Sequence, residues 1–132
     1  MNYLIDTHLF LWVLLSPKKI PASVKKILDD PQTVKTVSAI TFWEISLKFQ
    51  LKKLELDGVL PNELPNQAQK IGFEVLNLDP ETASSFYKLP LIKNSDPFDR
   101  MLAWQAISKN LVLLTKDQDF TSYKDDGLKT IW

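Results

Sequence analysis

The stretch DPFDRMLAWQAISKNLVLL, residues 96–114, decides the fold. Asp96-Pro97 is a conventional helix start, with proline at the first helical position, and the spacing predicts a helix through Asn110. Leu111-Val112-Leu113-Leu114 follows with no polar residue among them. A wholly apolar strand is the kind buried on both faces, as in parallel sheets covered by helices.

Outward from this unit, strands alternate with helices. Tyr3-Leu4-Ile5 forms a first strand ending at Asp6, and Leu9 to Leu15 reads as a buried helix broken by Ser16-Pro17. A helix follows from Pro21 to Leu28, then a strand over Thr33 to Val37. Ser38 caps a long helix from about Ile40 to Leu54. Pro61 and Pro65 frame a loop leading into a short helix that ends at Gly72. A strand over Phe73 to Leu78 precedes a helix from Pro80 to about Leu89, and the tail Leu128 to Trp132 supplies an edge strand. The expectation is one α/β domain over residues 1–132, with a central, mainly parallel sheet flanked by helices.

Composition narrows the chemistry. The chain has 132 residues, 45% hydrophobic and 24% charged, with 16 basic against 16 acidic side chains, as an ordinary soluble domain has. The absence of cysteine removes disulfides, thiolate zinc sites and cysteine nucleophiles, and fits a reducing cytoplasm. The three glycines, Gly58, Gly72 and Gly127, are too scattered for a phosphate-binding loop. The one histidine, His8, excludes an HExxH zinc site. The apolar run over Leu9 to Leu15 is too short to span a bilayer, so neither a signal peptide nor a membrane partner is expected. Zero net charge gives no basic footprint for nucleic acid, although a bound metal would supply its own positive charge.

Carboxylates remain. In open parallel sheets, ligands bind beyond the carboxyl ends of the strands, where Asp6 and Asp117 fall. Helix capping by Asp6 or Thr7 and a turn role for Asp117 are the plainer accounts. Glu44 lies between Ile40, Leu47 and Leu51 on an apolar helical stripe, where a buried acid needs a partner or a metal. Asp96 reads mostly as a cap. Asp99 also fits a capping box, but it shares its face with Leu102, Ala103 and Ala106, which aims it inward. Arg100, the single arginine, either contacts phosphate or pairs with one of these acids. Four carboxylates about 6 Å apart would repel by about 17 kcal/mol at an effective dielectric near 20, more than the whole stability of a typical domain. Such a cluster must protonate, splay apart or hold cations. Hard oxygen ligands without thiolate select magnesium or manganese over zinc, and such ions align water for attack on a phosphodiester.

These residues carry a family resemblance over nearly the whole chain. LIDTH at Leu4 to His8, SAITFWEIS at Ser38 to Ser46, DPFDRMLAWQA at Asp96 to Ala106 and LLTKDQDF at Leu113 to Phe120 resemble, in order and spacing, the motifs of PIN domains, specifically of VapC-type toxins. The resemblance implies a Mg2+- or Mn2+-dependent endoribonuclease acting on an RNA substrate, neutralised by a cognate antitoxin protein and frequently a homodimer. Asp6, Glu44, Asp99 and Asp117 would bind metal and activate water, with Asp119 the alternative to Asp117. Thr7, Ser38 and Thr115 match small polar positions that support the acids. One departure is Lys93-Asn94-Ser95, where related sequences often carry histidine. His8 is expected to orient or pack beside the site rather than to ligate.

Other readings compete. A haloacid-type phosphatase would want an acid where His8 stands. A non-catalytic acid-pocket module is either receiver-like or a binder of RNA or a partner, and Asp57-Gly58 is poorly placed for a receiver's acceptor. Trp12, Trp43, Trp104 and Trp132 are expected in the core or at an interface, while Lys48, Lys52 and Lys53 read mainly as a solvated helix face. The second apolar side of the Ile40 to Leu54 helix suggests a dimer face or a groove for an antitoxin segment.

Overall fold

A five-stranded, all-parallel sheet in the order β3-β2-β1-β4-β5 forms the centre of the computed structural model, which describes residues 1–92 and 96–132. The departure at Lys93-Asn94-Ser95 lies outside the described residues. The strands are β1 (Asn2–Ile5), β2 (Val34–Ser38), β3 (Glu74–Leu76), β4 (Val112–Leu114) and β5 (Lys129–Ile131). Helices α1 (Thr7–Leu15), α2 (Ala22–Asp29), α3 (Ala39–Gln50), α4 (Leu64–Lys70), α5 (Pro80–Ser85) and α6 (Pro97–Lys109) fill the connections. The order differs from the 2-1-3-4-5 order of receiver-like folds, which removes that alternative.

Strand alternation explains the apolar runs. Tyr3 and Ile5 of β1, with Leu114 of β4, enter one buried layer with Phe10, Val37, Ile45 and Phe73. Leu4 and Leu113 enter the opposite layer with Ile40, Leu102, Ala103 and Phe120. Both faces of β1 and β4 are therefore covered, and beyond Asn2 at its start neither strand carries a charged or amide side chain.

Local chemistry sets the helix ends. Asp6 accepts from the His8 amide at 3.4 Å, Ser38 from Ile40 at 3.0 Å and Asp79 from Thr82 at 2.7 Å. Asn110 closes α6 in the left-handed region, with φ 55°, and the Leu111 amide reaches back to the Ala106 carbonyl at 2.9 Å. Several expected bounds move. The α3 helix stops at Gln50 rather than Leu54, because Lys52 takes φ 58° and the Lys53 amide bonds back to the Lys48 carbonyl. The helix expected to reach Leu89 tightens after Ser85 into a 3-10 turn over Phe86–Lys88. A further 3-10 run, Gln118–Asp126, follows β4 where only a turn was expected.

The tryptophans are not core residues. Trp43 and Trp132 are exposed, Trp12 is half-buried against Trp132 at 6.0 Å, and the half-buried Trp104 donates its indole N–H to the Thr82 carbonyl at 3.1 Å. A polar ring edge that must meet a partner keeps such side chains near the surface. Among the described residues, no helix is long and apolar enough to cross a membrane.

Candidate active site

The sheet order reverses direction at β1. The chain steps from β1 to β2 and β3 on one side and then returns to β4 and β5 on the other. The carboxyl ends of β1 and β4 therefore face the crevice where parallel sheets bind ligands. Register does the rest. Ile5 pairs with Leu114, so the next residues, Asp6 and Thr115, stand side by side. The Thr115 hydroxyl donates to Asp6 Oδ2 at 2.5 Å and accepts from the Asp117 amide at 3.1 Å. One threonine thus fixes two acid-bearing segments.

The α3 and α6 helices bring the other acids to this end. Ser38 caps α3, which buries Glu44 to 3% exposure on the same face as Ile40 and Thr41. Lys48 Nζ donates to Glu44 Oε2 at 2.5 Å, while Oε1 is buried without a partner among the described residues. Asp96 caps α6 by accepting from the Phe98 amide at 2.8 Å and the Asp99 amide at 3.3 Å, as a helix-start aspartate should. Replacing Asp96 by alanine is expected to cost about 1 kcal/mol, which thermal denaturation at fixed pH would register as a fall of about 3 °C. Asp99, one turn further on, has no hydrogen bond to its carboxylate among the described residues.

Electrostatics shows which acids face one another. Burial raises the Asp99 pKa to about 7, and the charges of Asp96, Asp6, Glu44 and Asp117 push it the same way. Burial also raises the Asp6 pKa against the lowering effects of Thr115 and His8, with Glu44 adding to the rise. Burial of Lys48 acts downward, but the bond to Glu44 and the charges of Glu44, Asp96 and Asp99 outweigh it and leave the ammonium more basic. Asp119 does not enter the set acting on Asp99; it is exposed, and its amide donates to Asp117 at 2.9 Å.

A cleft of about 260 Å3 opens between α6 and the Gln118–Asp126 run, lined by Asp96, Asp99, Arg100, Asp117, Asp119 and Tyr123. Asp6 and Glu44 lie buried outside that lining. No three acids among the described residues converge closely enough to grip an ion as they stand. Their chemistry nonetheless fits a hard divalent ion: four carboxylates, no thiolate, and an orphaned Glu44 oxygen whose burial demands a partner.

The smaller polar residues divide. Thr115 supports the acids directly, but the Thr7 hydroxyl bonds to Thr41 Oγ1 at 3.0 Å, and the Ser38 hydroxyl bonds to Gln105 Oε1. Both sit under helix starts, so the nearest buried acceptors are on packing helices. Arg100 pairs with neither acid. Its guanidinium donates to the carbonyls of Leu89 at 3.0 Å and Pro90 at 3.4 Å, and it stacks on Phe86 at 4.7 Å. His8 is exposed, and it is its amide that touches Asp6. Lys48 turns inward rather than lying on a solvated face; its position four residues after Glu44 was the available signal. Tyr123, which accepts from Arg100 Nε at 3.4 Å, had none.

Known proteins place this architecture. VapBC2 from Rickettsia felis, solved bound to a DNA fragment from its promoter, is 15% identical with TM-score 0.66, covering 99% of this chain and 98% of that one. VapBC-1 from nontypeable Haemophilus influenzae is 21% identical with TM-score 0.66, covering 99% and 97%. VapBC-5 from Mycobacterium tuberculosis, a member of the VapBC family of toxin-antitoxin systems, is 17% identical with TM-score 0.57, covering 98% and 95%. At such identities the likeness is one of fold. No curated protein matches the sequence. The family model of the PIN domain, however, matches residues 3–126, which takes in both strands of the crevice and both acid-bearing helices, and the chain belongs to the PIN domain family.

Proposed function

We propose that this protein is a Mg2+- or Mn2+-dependent endoribonuclease, the toxin of a VapBC-type pair, active in the cytoplasm and held in check by a cognate antitoxin, with a homodimer as its working form. The observation that carries the reading is Asp99: an inward carboxylate without a hydrogen bond among the described residues, facing four other acids and raised to about pKa 7. PIN domains are generally nucleases, and solved VapBC proteins share the fold.

Asp6, Glu44, Asp99 and Asp117 would hold the ion. A divalent ion bound by carboxylates polarises a phosphodiester and lowers the pKa of water. The chain's own contribution is placement. Thr115 fixes Asp6 Oδ2, and Asp117 Oδ1 is fixed by the Asp119 amide, so neither carboxylate rotates freely. Below about pH 7 Asp99 keeps its proton when no cation is bound.

Calorimetric titration of antitoxin-free protein with Mn2+ tests this. Wild type is expected to bind, and Asp99→Asn to bind at least about tenfold more weakly, as loss of a charged ligand dictates. Equal binding by the two proteins, or none by either, would return Asp99 to a mere place in the first turn of α6.

A further inference from the structure

The ion pair between Glu44 and Lys48 differs from an ordinary surface pair at the same spacing. Lys25 and Asp29 on α2 are also four residues apart, but both side chains are about two-thirds exposed, at 65% and 64%, and they meet at 3.1 Å. In the Glu44 pair the carboxylate side chain is 4% exposed, the lysine side chain 40%, and the separation 2.5 Å. The lysine stem therefore starts in solvent and carries its ammonium in to a buried acid. A buried carboxylate without a counter-charge is strongly disfavoured, so this contact is one the fold depends on.

The ammonium satisfies only half of Glu44. It bonds Oε2, whereas Oε1 remains buried without a partner among the described residues. The charges of Asp96 and Asp99 also act on Lys48. Lys48 thus sits where a cation is wanted, on one side of the acid set.

We propose that Lys48 is a resident cation of the acid pocket, neutralising its Glu44 side so that the protein takes one divalent ion rather than two. This rests on the nuclease reading above. Formal charge supports the count. Asp6, Glu44, Asp99 and Asp117 with Lys48 sum to −3 (four acids, one ammonium), which one divalent ion brings to −1. Without Lys48 the sum is −4, and a second divalent ion brings it to zero. Lys48 is a positioning residue: it acts on Glu44 and on the number of ions, not on the substrate.

Mn2+ calorimetry, with free Mn2+ counted by electron paramagnetic resonance, tests the proposal on wild type, Lys48→Met and Lys48→Arg. The expected result is one ion for wild type and K48R, which keeps the charge, and two for K48M. In chelator-treated protein K48M is expected to melt about 5 °C lower, and the double variant K48M/E44Q to recover the loss, because a neutral amide in place of the Glu44 carboxylate needs no counter-charge. If K48M does not fold, Lys48→Gln, which keeps a donor without the charge, is scored in the same way. Two ions in wild type, one in K48M, or two in K48R overturns the resident cation while leaving the metal site standing. No ion in wild type overturns both readings.

Discussion

Metal-free Asp99→Asn protein is expected to be more stable than wild type at about pH 8 and nearly equal to it at about pH 4. The sign follows from proton binding. Unfolded Asp99 releases its proton near its ordinary value of 3.8, whereas the folded carboxyl keeps it to about 7. Between those values the native state binds more protons than the unfolded state, so wild-type stability falls as pH rises through the interval and levels off above it. The full shift corresponds to about 4 kcal/mol, which solvent screening in an open cleft reduces to about 2 kcal/mol. Asparagine removes the charge and hence the slope. Saturating Mn2+ should narrow the gap, since an ion at about one hundred times the wild-type dissociation constant stabilises wild type by about 2.7 kcal/mol and a variant that binds about tenfold more weakly by about 1.4 kcal/mol. Chemical denaturation across pH, with and without Mn2+, checks both halves. A less stable metal-free Asp99→Asn protein at high pH would mean that the carboxylate supports α6 rather than waiting for a cation.

Arg100→Ala is expected to destabilise the protein by about 3 kcal/mol, seen as a lower denaturation midpoint with an unchanged slope. The guanidinium is buried and ties α6 to the Leu89 and Pro90 carbonyls, to Phe86 and to the Tyr123 hydroxyl. Alanine leaves two carbonyls and an aromatic face without their donor. Lysine should recover less than half, because a point charge cannot reproduce a planar fork stacked on a ring. An Arg100→Ala protein as stable as wild type would show that the clamp is incidental.

How far the sequence was readable depended on what kind of signal each residue carries. Asp6 and Asp117 were legible because strand ends are marked by apolar runs, and in a parallel sheet strand ends are where ligands bind. Glu44 was legible as a violation, an acid on an apolar stripe; the stripe itself ends early, since Leu51 is exposed beyond the last turn of α3. Long flexible side chains were harder to read: the spacing of Glu44 and Lys48 allowed a pair, but nothing in the sequence turned it inward. Lys48 and Arg100 each have several rotatable bonds, so their sequence positions fix where the Cα sits and not where the charge arrives. The Thr7 and Ser38 hydroxyls failed for a related reason: a buried hydroxyl takes whichever acceptor packing brings near, here Thr41 and Gln105. The run over Gln118–Asp126 was missed because 3-10 turns lack the long apolar period that identifies an α-helix.

The strand order also governs when the site can exist during synthesis. β1 emerges first, yet its neighbour on one side, β4, is separated from it by about a hundred residues of chain, at Val112–Leu114. Until that segment leaves the ribosome, one edge of β1 stays unpaired, an apolar ledge open to any other strand. Asp6 has no Thr115 beside it during that interval, and Asp99 has no Asp117 across from it. Contacts so distant in sequence form slowly, and they form together. A chain cut short before β4 therefore holds Asp6 and Asp99 without the Thr115 and Asp117 that stand against them in the folded protein.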